Sequence, residues 1–225
     1  MTIRAIAVSV LVLFAVGGAV AQGTAPTACG SLQSSYGPYD YRTNRADLDR
    51  VELFHFTPEV EQLIRGKSGY LGQDIDYTLR TSPNHHRALL AMARYGERLK
   101  VAKVPFATYD VECYFDRAIR FRADDKTVRM LYANFLKVQG RLPEAIRQLD
   151  YAAGLPIDSP YTHYNLGLSY FDVGVMDKAL RQAHIALEMG FPRTALKEEL
   201  IKAGHWTDPP PPPEAEAPAS SGATR

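Results

Sequence analysis

Histidine and the carboxylates are the side chains that most often bind metal or move protons near neutral pH. In this chain they gather in one short stretch holding Asp74, Asp76, His85 and His86. A metal-dependent enzyme built on these four would need them to converge. Neighbouring residues on a helix point about 100° apart, so His85 and His86 cannot both face one ion as an i, i+4 pair does. The pattern reads instead as a turn with a helix start, in which one histidine packs or hydrogen-bonds and the other is solvated. The chain has no G-x-S-x-G, Walker loop, H-E-x-x-H or Cys-His dyad, and Asp124-Asp125 reads as another helix start. The expectation is a protein that is not an enzyme and uses no cofactor and no metal, with the four-residue cluster as the enzymatic alternative.

The remaining reactive residues are Cys29 and Cys113, with no C-x-x-C and no companion ligand. Their meaning depends on compartment, and the first residues supply it. Arg4 is a basic start, Ala5 to Val16 is an apolar run, and Ala19-Val20-Ala21 is a small-residue cleavage site before Gln22. Residues 1–21 therefore read as a signal peptide and the protein as exported to the periplasm; residues 5–21 kept as a membrane anchor are the alternative. In an oxidising compartment the two cysteines read as a disulfide, with two free thiols as the other reading. A bridge closing a loop of that length stabilises by roughly 4 kcal/mol on the chain-entropy model. Lys plus Arg number 26 and Asp plus Glu 25, so there is no field suited to nucleic acid, and none is expected as a partner.

The elements that must position these residues are helical. Residues 22–56 read as an extended segment ending in a short helix over 47–54, where Leu48, Val51 and Phe54 are spaced by three; 51–56 also alternates as a strand would. Thr57, Pro58, Glu59 and Glu61 open a helix that Gly66 stops, with Val60, Leu63 and Ile64 inward. A second helix spans 73–81 with Ile75, Thr78 and Leu79 inward, and Asn84 caps a third over 85–99 carrying Leu89, Leu90, Met92 and Ala93. Its partner spans 109–121, with Val111, Phe115, Ala118 and Ile119 inward, after an unusually long connection. A last helix over 194–202, with Leu196, Leu200 and Ile201 apolar, precedes Trp206 and a Pro-rich tail over 208–225 that cannot form a core.

Between them a pattern is written twice. Ala133, Leu136, Gly140, Leu142, Ala145, Leu149 and Ala152 recur 34 positions later as Gly167, Tyr170, Gly174, Met176, Ala179, Ala183 and Ala186. A fixed period of that length with helical spacing inside it marks a helical repeat. The second copy, Tyr164-Asn165-Leu166-Gly167 followed by Tyr170, Gly174, Ala179 and Ala186, resembles the tetratricopeptide repeat (TPR). Tyr77 to Asn84 is similar to the end of such a repeat. The resemblance implies an all-α TPR-type solenoid of about three to four hairpins: divergent ones over 57–125, clear repeats over 126–159 and 160–193, and a capping helix over 194–207.

It also implies a site. In this family ligands usually lie along the first helices of successive repeats, which here places Met130, Asn134, Lys137, Tyr161, Tyr164, Asn165, Leu168 and Phe171 on a groove. Asn134 and Asn165 fall where members that clamp a peptide carboxylate place asparagines, but Met130 and Glu198 stand where the clamp has a lysine and an arginine. The function implied is a non-enzymatic scaffold of the bacterial cell envelope that holds a protein or peptide segment. An assembly factor working through the convex face or the tail is the alternative.

Overall fold

The computed structural model describes residues 29–209, so the signal peptide expected over 1–21 and nearly all of the Pro-rich tail lie outside the described residues. The described chain is all-α: ten helices and no strand, none of them long and apolar enough to cross a membrane. The 34-residue period becomes geometry in α6 (Lys126–Val138), α7 (Leu142–Gly154), α8 (Pro160–Asp172) and α9 (Met176–Glu188). Both α8 and α9 begin and end 34 residues after their counterparts. The turns match as well. Gly140 and Gly174 take φ of 75° and 79°, a region open to glycine at little cost. In each turn the glycine N–H and the next N–H reach back to the last turn of the helix, Arg141 to Leu136 and Val175 to Tyr170, which satisfies carbonyls a helix end leaves orphaned.

Small residues let these hairpins close. Ala133, Ala145, Ala152, Ala179, Ala183 and Ala186 are buried together with Leu136, Leu149, Leu166 and Tyr170. Gly167 leaves a hollow that the final helix, α10 (Ala195–Lys202), fills: a Cβ there would stand 2.5 Å from Leu196 Cδ2 and 3.3 Å from the Ala179 carbonyl oxygen. Leu196 and Leu200 carry the seal. Ile201, expected beside them, is exposed, because an i, i+4 stripe one helical turn long leaves the next residue pointing outward. Trp206 packs its ring edge-on to His184 and under Lys197.

The first half holds a second period that the sequence hides. Helix α3 spans Leu71–Thr81 and α5 spans Val111–Phe121, 40 residues apart at both ends, and α4 (His86–Leu99) begins 40 residues before α6. The turns joining them are superimposable in their bonding. Ser82 and Arg122 end their helices, His85 and Asp125 start the next, and N–H to C=O bonds run Ser82 to Thr78 and His85 to Ser82, then Arg122 to Ala118 and Asp125 to Arg122. The longer period comes from the connection after α4. There Val104 and Ala107 are buried, and the Pro105 carbonyl presses so closely on Gly72 that a Cβ would meet it at 2.1 Å.

Several expectations are corrected here. Helix α1 (Arg45–His55) is a helix as read, with Leu48 and Val51 buried, but Phe54 faces solvent. Helix α2 (Pro58–Glu61) is a single turn and does not reach Gly66. It closes early because Leu63 adopts φ of 60°, the conformation usually given to glycine, and the N–H groups of Leu63 and Ile64 bond back to Val60 and Glu59. Ile64 is thereby turned out to solvent. Gly66 serves the tight turn after it, where a Cβ would lie 2.0 Å from the Gly69 carbonyl oxygen. Ala179 tests the close pairing of the second repeat. Ala179→Leu should destabilise the fold by about 1–3 kcal/mol through overpacking, read as a lower urea midpoint with an unchanged slope.

Candidate functional site

The four residues that could have formed a metal or acid–base cluster are dispersed into separate structural roles. Asp74, 1% exposed, accepts from the backbone N–H groups of Lys67 (2.6 Å), Ser68 (3.0 Å) and Gly69 (3.3 Å) and meets His55 Nδ1 at 2.9 Å. It shapes the 66–69 turn. Asp76 accepts from the Thr108 N–H and hydroxyl, from Arg80 Nε and from the Tyr114 hydroxyl, and so anchors the long connection. Burial and the Asp76 carboxylate push the Tyr114 hydroxyl far above its ordinary range. Among the described residues no three histidine, cysteine or acidic side chains are placed to hold a metal.

The two histidines part company as well. His85, not Asn84, is the N-cap of α4: its Nδ1 accepts the Ala88 N–H at 3.2 Å, and its Nε2 lies 3.1 Å from Glu52 Oε1. An acceptor at Nδ1 and a carboxylate at Nε2 define the neutral Nε2–H tautomer. His86 directs Nε2 at both oxygens of Asp125, 2.9 and 3.0 Å away, so that nitrogen must donate. Tyr41 lies against both rings.

Asn84 is freed from capping for a larger task. Fully buried, it donates to Asp40 (2.7 Å) and Asp125 (2.9 Å) and accepts the Tyr41 N–H (3.0 Å). Arg42 and Arg122 complete the network on Asp40, and Arg42 also reaches Asp124. Burial raises the Asp40 pKa, but hydrogen bonds from Arg42, Asn84 and Arg122 outweigh it and hold the carboxyl far below the carboxylate range. Asp125 caps α6 by accepting the Val128 N–H. The same segment begins at the Cys29–Cys113 disulfide, where Cα atoms are 5.0 Å apart and Arg117 and Arg120 grip the carbonyls of Cys29, Gly30 and Ser31.

The second candidate site is the side formed by α4, α6 and α8, which pack on one another in that order. Three depressions run along it. The largest, about 600 Å³, lies between the connection after α4 and the turn after α6, lined by Glu97, Val101, Glu112, Phe135, Gln139 and Arg141 among others. It shares Glu97, Phe135 and Gln139 with a second between α4 and α6, which adds Leu90, Ala93, Arg94, Asn134 and Val138. A third, between α6 and α8, is lined by Asn134, Lys137, Ser169 and Asp172.

The expected groove residues divide on this surface. Asn134 is exposed and shared by two depressions; Lys137 lies beside it, 3.6 Å from Asp172. Met130, Asn165, Leu168 and Phe171 are half-buried, and Tyr161 is exposed. Tyr164 is corrected: only 6% exposed, it packs its ring on Phe191 at 4.7 Å and belongs to the core. The part of the site that sequence reasoning missed is the α4 contribution. The signal was the 40-residue offset, which carries Met130, Asn134 and Lys137 back onto Leu90, Arg94 and Glu97, three residues that line the depression between α4 and α6.

Comparison with protein-family models, with curated proteins and with solved structures finds no match to this chain. Asn84→Ala should cost about 2–4 kcal/mol, because it strips donors from two buried carboxylates and leaves the Tyr41 N–H unpaired; urea denaturation at pH 7 measures it. The Asp40 carboxyl, depressed in the fold, contributes stability that is complete above its unfolded value of 3.8 and is lost as pH falls below it. Asp40→Asn should therefore be less stable than the native chain at pH 7 and show a shallower loss between pH 5 and pH 3 in thermal melts.

Proposed function

We propose that this chain is a non-enzymatic binding scaffold of the bacterial cell envelope, a TPR-type solenoid that holds a protein or peptide segment against α4, α6 and α8. The observation that carries the reading is the alignment of three successive first helices side by side with joined depressions between them. A solenoid offers its partners an extended surface of this kind rather than one enclosed pocket. The floor is apolar, with Leu90, Ala93, Phe135 and Val138, and its amides, Asn134 and Gln139, can bond a partner's main chain. The side chains of Arg94 and Glu97 stand exposed beside that floor and make no ion pair within the described chain. The export signal and the disulfide support the envelope assignment.

Photo-crosslinking in cells tests this reading. A crosslinker at Asn134 or Val138 should give one discrete adduct that a crosslinker at Tyr151, on α7, does not give. Val138→Glu should remove the Asn134 adduct while leaving far-UV helicity intact, and truncation after Asp208 should leave it unchanged. An adduct lost on truncation, or seen equally from Tyr151, would move the contact to the tail or the opposite face.

A further inference from the structure

Two features of the His85 site stand out together: the imidazole is 0% exposed, and each ring nitrogen has a partner that demands a different state. Nδ1 must be bare to accept the Ala88 N–H, while Nε2 must carry hydrogen to meet Glu52. The corresponding start of α6 uses a carboxylate, Asp125, which caps without changing charge near neutral pH. The substitution of histidine at one of two matched turns makes that turn sensitive to protons.

We propose that His85 is a proton-operated latch: neutral, it caps α4 where that helix meets α1 and the 39–44 segment; protonated, it cannot cap, and the first turn of α4 loosens together with its contacts to α1 and that segment.

A proton added at Nδ1 would point at the Ala88 N–H, donor against donor, and the cap is lost. The surroundings compensate only in part. From α1 come Glu52 and Arg45; from α4 itself, Arg87 and His86; from the N-terminal segment, Tyr41, whose ring centroid lies 4.2 Å from that of His85. Phe56 closes the remaining side, and Glu61 of α2 is occupied by Arg87. Glu52 already faces Arg45 at 3.6 Å and Arg87 at 3.4 Å, so an imidazolium would be the third cation on one carboxylate. Burial, opposed in part by Glu52, lowers the His85 pKa from the ordinary 6.5. The sign follows: the closed form is favoured fully above 6.5 and loses ground as pH falls below it.

The same ring touches three elements at once. Glu52 lies on α1, Tyr41 on the segment that Asn84 also holds, and Ala88 in the first turn of α4. Losing the cap therefore loosens a specific set: residues 39–56 and the first turn of α4.

Hydrogen exchange of the full-length oxidised protein, expressed as protection factors between pH 7.5 and 5.5, provides the test. Protection over residues 39–56 should fall as pH drops below 6.5, by up to about tenfold per pH unit, with α8 and α9 unchanged. His85→Asn, which keeps a capping acceptor that does not titrate, should abolish that slope; His86→Asn should retain it. A slope that persists in His85→Asn, or vanishes only in His86→Asn, overturns the proposal. So does a loss spread evenly over all helices. Nitrogen-15 shifts of the native imidazoles give an answer independent of any variant: the Nε2–H tautomer for His85 at pH 7.5 is expected, and an Nδ1–H tautomer sinks the latch.

Discussion

Both hydrogens of one buried amide go to carboxylates, and its oxygen takes a backbone N–H: the rest of the first half depends on the Asn84 side chain. Carboxylates this deeply buried are costly unless donors saturate them. Here Asp40 and Asp125 share one amide, and each then performs a second service. Asp40 collects Arg42 and Arg122, and Asp125 caps α6 and orients His86. Three stretches far apart in sequence thereby meet at one point: the N-terminal segment, the turn before α4 and the turn before α6. The disulfide fixes the same segment a second time, on α5.

The two halves of the molecule solve the same packing problem with different chemistry. From α6 onward, helices close on alanine and glycine, and shape decides which faces meet; the hollow at Gly167 and Leu196 from α10 are complementary in volume. Before α6 the turns are held by buried polar groups. Asp74 gathers the 66–69 turn and Asp76 gathers the connection after α4, which Val104 and Ala107 also seat in the core. The surface along α4, α6 and α8 crosses the boundary between these regimes. Its largest depression opens where the connection after α4 is longer than the tight turn after α6.

How much of this was legible depended on which regime wrote the residues. The 34-residue period was plain because its partners are all small or apolar, and that alone marked out the stretches 126–159 and 160–193 in which α6 to α9 lie. The 40-residue period was hidden because matched positions differ in kind: Asp74 against Tyr114, Thr78 against Ala118, His85 against Asp125. Its equivalence lies in backbone bonds, which the side chains do not announce. Asn84 was read as a cap because asparagine favours that position, while histidine one residue later took it; propensity lost to a tertiary network supplied from residue 40. The groove was half legible for the same reason. Asn134 and Lys137 followed from the clear repeat, whereas Leu90 and Arg94 needed the hidden one. Tyr164 was misplaced since an aromatic on a first helix can face either the groove or the next turn, and Phe191 decides it.

The cross-ties of the first half have a consequence for how the molecule comes apart. Cys29 to Cys113, Tyr41 to Asn84 and Arg42 to Asp124 each bridge tens of residues and tie the N-terminal segment to the helical body at several points. Helices α8 to α10 touch mainly their immediate neighbours, and can peel in sequence from the end, as links of a zipper do. The chain is thus a clamped root with a freely fraying tip. A partner lying along α4, α6 and α8 would span that junction and tie the tip to the root, lending the outer hairpin a rigidity that its own contacts do not supply.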